Sequence, residues 1–197
     1  MTTPVTARDR AKAERTDAIL AAAAELFAAR GYSGVSIEDI GAAVGVSGPA
    51  VYRHFAGKQA LLGALLIGVS DRLVAGGREV AGDLDDPADR MRALIEFHVA
   101  FALGNADVIR VQDRDLAHLS DEARSDVRTL QRTYIGQWID TLAQLVTADR
   151  DELRLRVQAC FGLLNSTPHS TSAALRERVD TGHLLASMAM QALLAGD

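Results

Sequence analysis

Residues 36–58 read SIEDIGAAVGVSGPAVYRHFAGK, and the rest of the chain takes its meaning from this stretch. Ile37, Ile40, Val44 and Val46 recur at helical spacing behind Ser36, which stands where an N-cap belongs. Gly45 interrupts, as a glycine just past a short helix should. Ser47 restarts the chain as a second N-cap, and Pro49 falls in the first turn, where a missing N–H costs nothing. The spacing predicts a second short helix running through Tyr52, Arg53, His54 and Phe55. Two short helices joined by a glycine-containing turn of roughly three to four residues form the helix-turn-helix pattern, whose second helix enters the major groove of DNA.

Working outward, 197 residues with 48% hydrophobic and 24% charged content suit a globular chain with a substantial core. Only four prolines are present while Ala and Leu abound, so helix is expected throughout and the fold class is all-α. No uninterrupted apolar run approaches the roughly 18 residues of a membrane span, and the opening MTTPVTARDR lacks the apolar stretch of a signal peptide. Cys160 is the single cysteine, which excludes an intrachain disulfide and fits a reducing cytoplasm. The net charge of −5 is unlike a DNA binder until the chain is divided. Residues 1–60 hold 7 Lys+Arg against 6 Asp+Glu, and the remainder holds 14 against 20. The first third has no general basic footprint. DNA binding would rest on placed cations: Arg8, Arg10, Lys12, Arg15, Arg53 and Lys58.

In chain order, residues 1–9 carry no apolar period and are expected to form a mixed-charge arm. A helix follows from about Arg10 to Arg30 with Ile19, Ala22, Ala23, Leu26 and Phe27 on one face, ended by Gly31. After the helix-turn-helix, a long helix opens at Lys58 and runs to about Val80 on Leu61, Leu62, Leu65, Leu66, Val69 and Leu73. Asp85 or Asp86 caps the next, from Pro87 to about Leu103; a shorter one is expected over 107–118, and Ser120 opens another that runs to about Thr147. Asp149 to about Leu164 is helical, 165–172 is a loop, and a last helix covers roughly 174–194. The count is about nine helices, with a boundary placed between a first domain at 1–57 and a second at 58–197.

The segment from Ile19 through Leu62 resembles the TetR family of bacterial transcriptional regulators. The resemblance lies in Leu26-Phe27, Gly31-Tyr32, Ser36, Ile40-Gly41, Ala43 to Ser47, Val51 to Phe55 and Lys58 with Leu61. It implies three N-terminal helices for DNA, then a helical domain that dimerises and binds a small effector, with no cofactor. Position by position, it implies that Ser47, Gly48, Pro49, Ala50 and Arg53 face the groove. Tyr52, His54 and Lys58, with Ser36, would hold phosphates. Arg53 suits guanine, because its fork matches the O6 and N7 acceptors. Gly48 and Ala50 offer only backbone approach or a methyl contact, so readout leans on DNA shape as well. Glu38 is acidic where several members are basic, and Val51 and Phe55 read as core.

For the second domain only pattern is available. Phe97, His98, Phe101, Val111, Gln112, Tyr134 and Trp138 are expected to line a mostly apolar effector cavity, or else to be core. Residues 150–166 and 174–195 match the position of the family's dimer-forming bundle. Residues 108–142 also look similar to regulators of lipid and acyl-CoA catabolism, whose effectors are apolar chains with an anionic head. Arg110, Arg114, Arg128 and Arg132 would supply the anion-binding side, or else form a salt-bridged solvated face with Asp113, Asp115 and Asp126.

Catalysis is the rival class. The five histidines form no H-E-x-x-H pair, one cysteine excludes cysteine-rich zinc sites, and neither a phosphate loop before Lys58 nor a G-x-S-x-G elbow occurs. A dyad of His98 with Asp107 or Asp115 is the one catalytic pairing left to test, and a helical ligand-binding protein without DNA-binding function is the other alternative. The expectation is a cytoplasmic, nucleoid-associated homodimer, neither enzyme nor membrane protein, released from a duplex operator by a small apolar or acyl-CoA-like effector.

Overall fold

Thr6, four residues earlier than expected, opens the first helix. Its hydroxyl accepts from the Asp9 amide at 3.1 Å while the Asp9 carboxylate accepts from the Thr6 amide. This reciprocal box satisfies two free donors of the first turn and carries α1 over Ala7–Arg30. The computed structural model describes residues 6–195; residues 7–9 of the expected arm belong to α1, and residues 1–5 lie outside the described residues. Gly31 closes α1 at φ 78°, with its amide on the Phe27 carbonyl.

The helix-turn-helix consists of α2 (Ile37–Ala43) and α3 (Gly48–Tyr52). Then come α4 (Lys58–Gly82), α5 (Pro87–Gly104), α6 (Ala106–Asp115), one 3₁₀ turn at Leu116–His118, and α7 (Asp121–Leu142). Asp86 caps α5 and Asp149 caps α8 (Arg150–Asn165), each carboxylate accepting from two amides. The end of the chain differs from expectation. Residues 165–172 are not a plain loop but contain α9 (Thr167–Ser170), and the last helix is split into α10 (Ala173–Arg176) and α11 (Val179–Leu194). Pro168 sits in the first turn of α9, where it favours helix instead of breaking it. Likewise α7 stops five residues short of Thr147, with Leu145 and Val146 bonding back to Leu142 and closing the turn. No strand occurs among the described residues.

Two cores result, and they do not divide at residue 57. The first joins Ile19, Phe27, Ile40 and Val51 to Leu61, Leu62 and Leu66 of α4, and also to Val108 and Val111 of α6 and Val127 of α7. The second gathers Met91, Leu94, Trp138, Leu142, Val157 and Leu164 with Ala189 and Leu193. The helix α4 crosses from one to the other, with Val69 in the first core and Val74 in the second. Its 25 residues have a mean hydropathy of 1.5 in their most apolar window, enough by length and composition to cross a membrane, but half that window is buried in the fold. It is a core beam. Close approach onto it is made possible by glycine: a Cβ on Gly76 would stand 2.3 Å from the Phe97 ring, and one on Gly77 2.5 Å from the Gln137 side chain.

Candidate DNA-reading face and effector cavity

Around α2 and α3 the local chemistry is set by one capping box and by two glycines. The Ser36 amide donates to the Asp39 carboxylate at 2.8 Å, and the Ser36 hydroxyl accepts from the Asp39 amide at 3.0 Å. The Ser36 hydroxyl also donates to that carboxylate at 2.6 Å, and this bond, with the amide's, holds the Asp39 carboxyl below the usual carboxylate range. Gly45 takes φ 69° in the turn, the left-handed conformation that glycine adopts without cost. Gly41 must also lack a side chain, because a Cβ there would lie 2.8 Å from the Val46 carbonyl. Arg15 of α1 donates to the Val44 carbonyl at 3.3 Å and ties the turn down.

The helix α3 is shorter than expected. Its last turn tightens, with Arg53 bonding back to Ala50 and His54 to Val51, so Arg53 and His54 stand just past the helix. Ser47, Pro49, Tyr52 and Arg53 are exposed and Ala50 half-buried. Arg53 makes no salt bridge among the described residues, which leaves its whole donor fork free. Val51 and Phe55 are core, as expected.

Three expected contacts are placed otherwise. Gly48 is buried, and a Cβ on it would lie 3.1 Å from the Glu38 carboxylate, so it packs α2 against α3 and does not face outward. His54 is half-buried, with Nδ1 2.9 Å from the Thr16 hydroxyl. Lys58 donates to the Tyr32 and Val35 carbonyls at 2.8 and 2.7 Å, and its ammonium stands 4.4 Å from the centre of the Tyr32 ring. It therefore bolts the 31–36 turn to the start of α4.

A cavity of about 160 Å³ lies between α4, α5, α6, α7 and α8. His98, Phe101, Gln112 and Tyr134, four of the seven residues named from the sequence, line it. Phe97, Val111 and Trp138 do not. Phe97 lies over Gly76 on an outer groove, Val111 is fully buried in the first core, and Trp138 backs the His98 ring edge-on at 5.9 Å. Sequence reasoning left Ser70, Leu73, Val108, Gln131, Ile135, Phe161 and Asn165 out of the lining, which Ile109 also joins. The available signal was polarity out of place: Ser70 interrupts the apolar face of α4, and Asn165 ends α8.

His98 is the centre of that lining. Its Nε2 is 3.1 Å from Asn165 Oδ1 and its Nδ1 3.4 Å from the Tyr134 hydroxyl, so no carboxylate partners it and the dyad with Asp107 or Asp115 does not exist. Full burial drives its pKa down from 6.5 to about 4, only partly offset by Asn165, and the ring is neutral near pH 7. Burial likewise raises the Tyr134 hydroxyl and pushes the Cys160 thiol up to about 12, which leaves that thiol without a thiolate's reactivity. No group of three or more His, Cys, Asp or Glu side chains suited to a metal occurs among the described residues.

The four arginines proposed for an anionic head do not line the cavity. Arg110 pairs with Asp107 at 2.9 Å and donates to the Pro168 carbonyl. Arg114, at the end of α6, donates to the carbonyls of Phe27 and Ala28 and holds the buried Asp115 at 3.0 Å. Arg128 and Arg132 are exposed on α7. Beside the Arg114 clasp, His118 stacks on the Tyr32 ring at 4.5 Å and accepts at its carbonyl from Gln59 at 3.0 Å. Thus α6 presents Val108, Ile109 and Gln112 to the cavity and holds the end of α1 through Arg114.

Comparison with known proteins adds a lineage to this geometry. The family profile for bacterial regulatory proteins of the tetR family matches residues 19–65, and that for the tetracyclin repressor-like C-terminal domain matches residues 84–169. The transcriptional activator FasR of Mycolicibacterium smegmatis is 39% identical over 42% of this chain and 38% of its own length. The transcriptional repressor KstR2 of Mycobacterium tuberculosis is 28% identical over 66% of each. The chain therefore spans about 38% and 66% of the lengths of these two relatives. Among solved structures, a TetR-family regulator from Bordetella parapertussis superposes with a TM-score of 0.81 at 28% identity, over 92% of this chain and 94% of that one. AibR, in complex with isovaleryl coenzyme A and operator DNA, has a TM-score of 0.75 at 21% identity over 90% and 96%, a likeness of fold.

Proposed function

The chain belongs to the TetR family of bacterial transcriptional regulators, and from that premise we propose that it is a repressor released from a pseudo-palindromic operator by a small effector. The families matched are those of regulators, not of enzymes. The observation that carries the reading is the α2–α3 unit, in which the Ser36–Asp39 box caps α2 while α3, whose Ser47 makes no side-chain cap bond, leaves Ser47, Pro49, Tyr52 and the unpaired fork of Arg53 exposed together. In this reading Arg53 reads a guanine, and the small surface at Ala50 leaves the remaining discrimination to DNA shape. Tyr52 holds a phosphate through its exposed hydroxyl, whereas the Ser36 amide and hydroxyl are already spent on the Asp39 carboxylate and His54 is turned to Thr16. Lys58 contributes by fixing the start of α4, with any phosphate contact secondary to its two carbonyl bonds.

A homodimer brings two such units to half-sites roughly 34 Å apart, at work on DNA in the cytoplasm. The exposed apolar side chains Leu155, Val179, Leu184 and Met188 on α8 and α11 support a dimer bundle through residues 150–166 and 174–195. Effector entering the cavity displaces α6, and the Arg114 clasp passes that shift to α1, favouring a state with the wrong half-site spacing. An acyl-CoA effector is suggested by AibR among the structural neighbours.

A mobility-shift titration on the DNA upstream of the protein's own reading frame tests the core of this reading. A salt-dependent, saturable shift is expected, and its absence from that DNA and from a random-sequence selection would refute it.

A further inference from the structure

We infer that the cavity takes a short, uncharged, carbonyl-bearing group of about six heavy atoms, and that Leu73 and Phe101 set its length limit. The inference rests on reading the cavity as the effector site. Size comes first. A protein cavity of roughly 150 Å³ holds one benzene molecule, and this one measures about 160 Å³. Charge comes second. No lysine or arginine lines the space, and the one imidazole in it is held between Asn165 and Tyr134 in its neutral form. A carboxylate or phosphate inside would lose its hydration with nothing to replace it. Polarity comes third. Ser70 spends its hydroxyl proton on the Leu66 carbonyl at 2.8 Å, whereas the amides of Gln112 and Gln131 make no side-chain hydrogen bond among the described residues and are free to donate to a carbonyl oxygen.

Leu73 and Phe101 are common to this cavity and to an outer groove of about 510 Å³ between α4 and α5, which Arg72, Gly76 and Phe97 also line. These two side chains are the wall between the spaces. A group longer than the inner cavity meets the wall, and trimming it joins the spaces. The group is either a free ketone or lactone, or the acyl end of a thioester whose charged carrier remains outside.

Calorimetric titration of the full-length protein with cyclohexanone, isovaleryl-CoA, octanoyl-CoA, stearoyl-CoA and benzoate tests the inference, with Phe101→Ala and Leu73→Ala checked for native helicity. Cyclohexanone, isovaleryl-CoA or both bind the unaltered protein, and which of them binds separates the free source from the carried one. Benzoate and stearoyl-CoA do not bind. In either wall variant octanoyl-CoA binds about tenfold tighter or more, as several buried methylenes predict. Benzoate matching cyclohexanone or isovaleryl-CoA, stearoyl-CoA binding the unaltered protein, neither cyclohexanone nor isovaleryl-CoA binding, or a length limit unmoved in both folded variants each overturns it. Operator retardation measured on the same preparations separates the outcomes: if DNA binding persists while the ligand pattern fails, only this inference falls.

Discussion

Arg53 and Lys58 are both cations five residues apart, yet they are in opposite situations. Arg53 is exposed and unpaired, so Arg53→Ala should weaken operator binding by about 1–3 kcal/mol and relax preference at one base pair per half-site, as read by binding to operators randomised at each position. Lys58 is committed to the Tyr32 and Val35 carbonyls. Lys58→Ala should therefore lower unfolding stability by about 1.5–3 kcal/mol, since two charge-assisted hydrogen bonds are lost. The salt slope of DNA binding should fall by less than one unit, and a full unit with unchanged stability would make Lys58 a phosphate ligand after all. His98 offers a third test at this scale. Its folded pKa of about 4 lies below the ordinary 6.5, so between these values the unfolded chain takes up a proton that the folded one refuses. The penalty is absent above pH 6.5, grows as pH falls, and reaches on the order of 3 kcal/mol near pH 4. Denaturant melts across that range should show a shallower acid loss for His98→Gln, and identical slopes would contradict the assignment. The sequence pattern singled out both Arg53 and Lys58 as DNA contacts. It could not show that Lys58 was already occupied, because its partners are backbone carbonyls over 20 residues away, and carbonyls leave no mark on residue identity.

Among the elements, α6 is the one whose role was least visible in advance. Its ten residues carry cavity lining on one side and Arg114 at the end, and only the packing against α1 shows the two to be connected. By contrast α1, α2 and the long helices were legible, because caps, glycine stops and apolar periods are local signals. The end of the chain was not, since a single apolar period over 174–194 does not reveal the break after α10. Arg114→Ala alone should cost on the order of 3 kcal/mol of stability, because Asp115 is left buried without its partner. The pair Arg114→Met with Asp115→Asn removes the charge problem as well as the clasp. It should bind operator normally yet need several-fold more of whichever probe binds the cavity to let go, as followed by fluorescence anisotropy of labelled DNA. Release indistinguishable from the unaltered protein would take α6 out of the switch.

At the scale of the whole molecule, the net charge of −5 and the exposed apolar side chains of α8 and α11 describe a surface with two different tasks. Leu184 is 60% and Val179 83% exposed, which a chain working alone has little reason to tolerate together. Leu184→Glu should shift the sedimentation profile toward monomer and weaken operator binding more than Arg53→Ala does, because the second half-site contact is lost entirely. A dimer that persists would place the interface elsewhere. The expected division at residue 57 also looks different at this scale. The DNA-binding end is finished by Leu61, Leu62 and Leu66 from α4, by Val108 and Val111 from α6 and by Val127 from α7. Reading heads of this build are therefore not interchangeable cassettes: a graft of residues 1–57 onto another regulator would arrive with one side of its interior missing. A working chimera would have to carry the first half of α4 and α6 along, and with α6 would come Val108, Ile109 and Gln112 of the cavity wall.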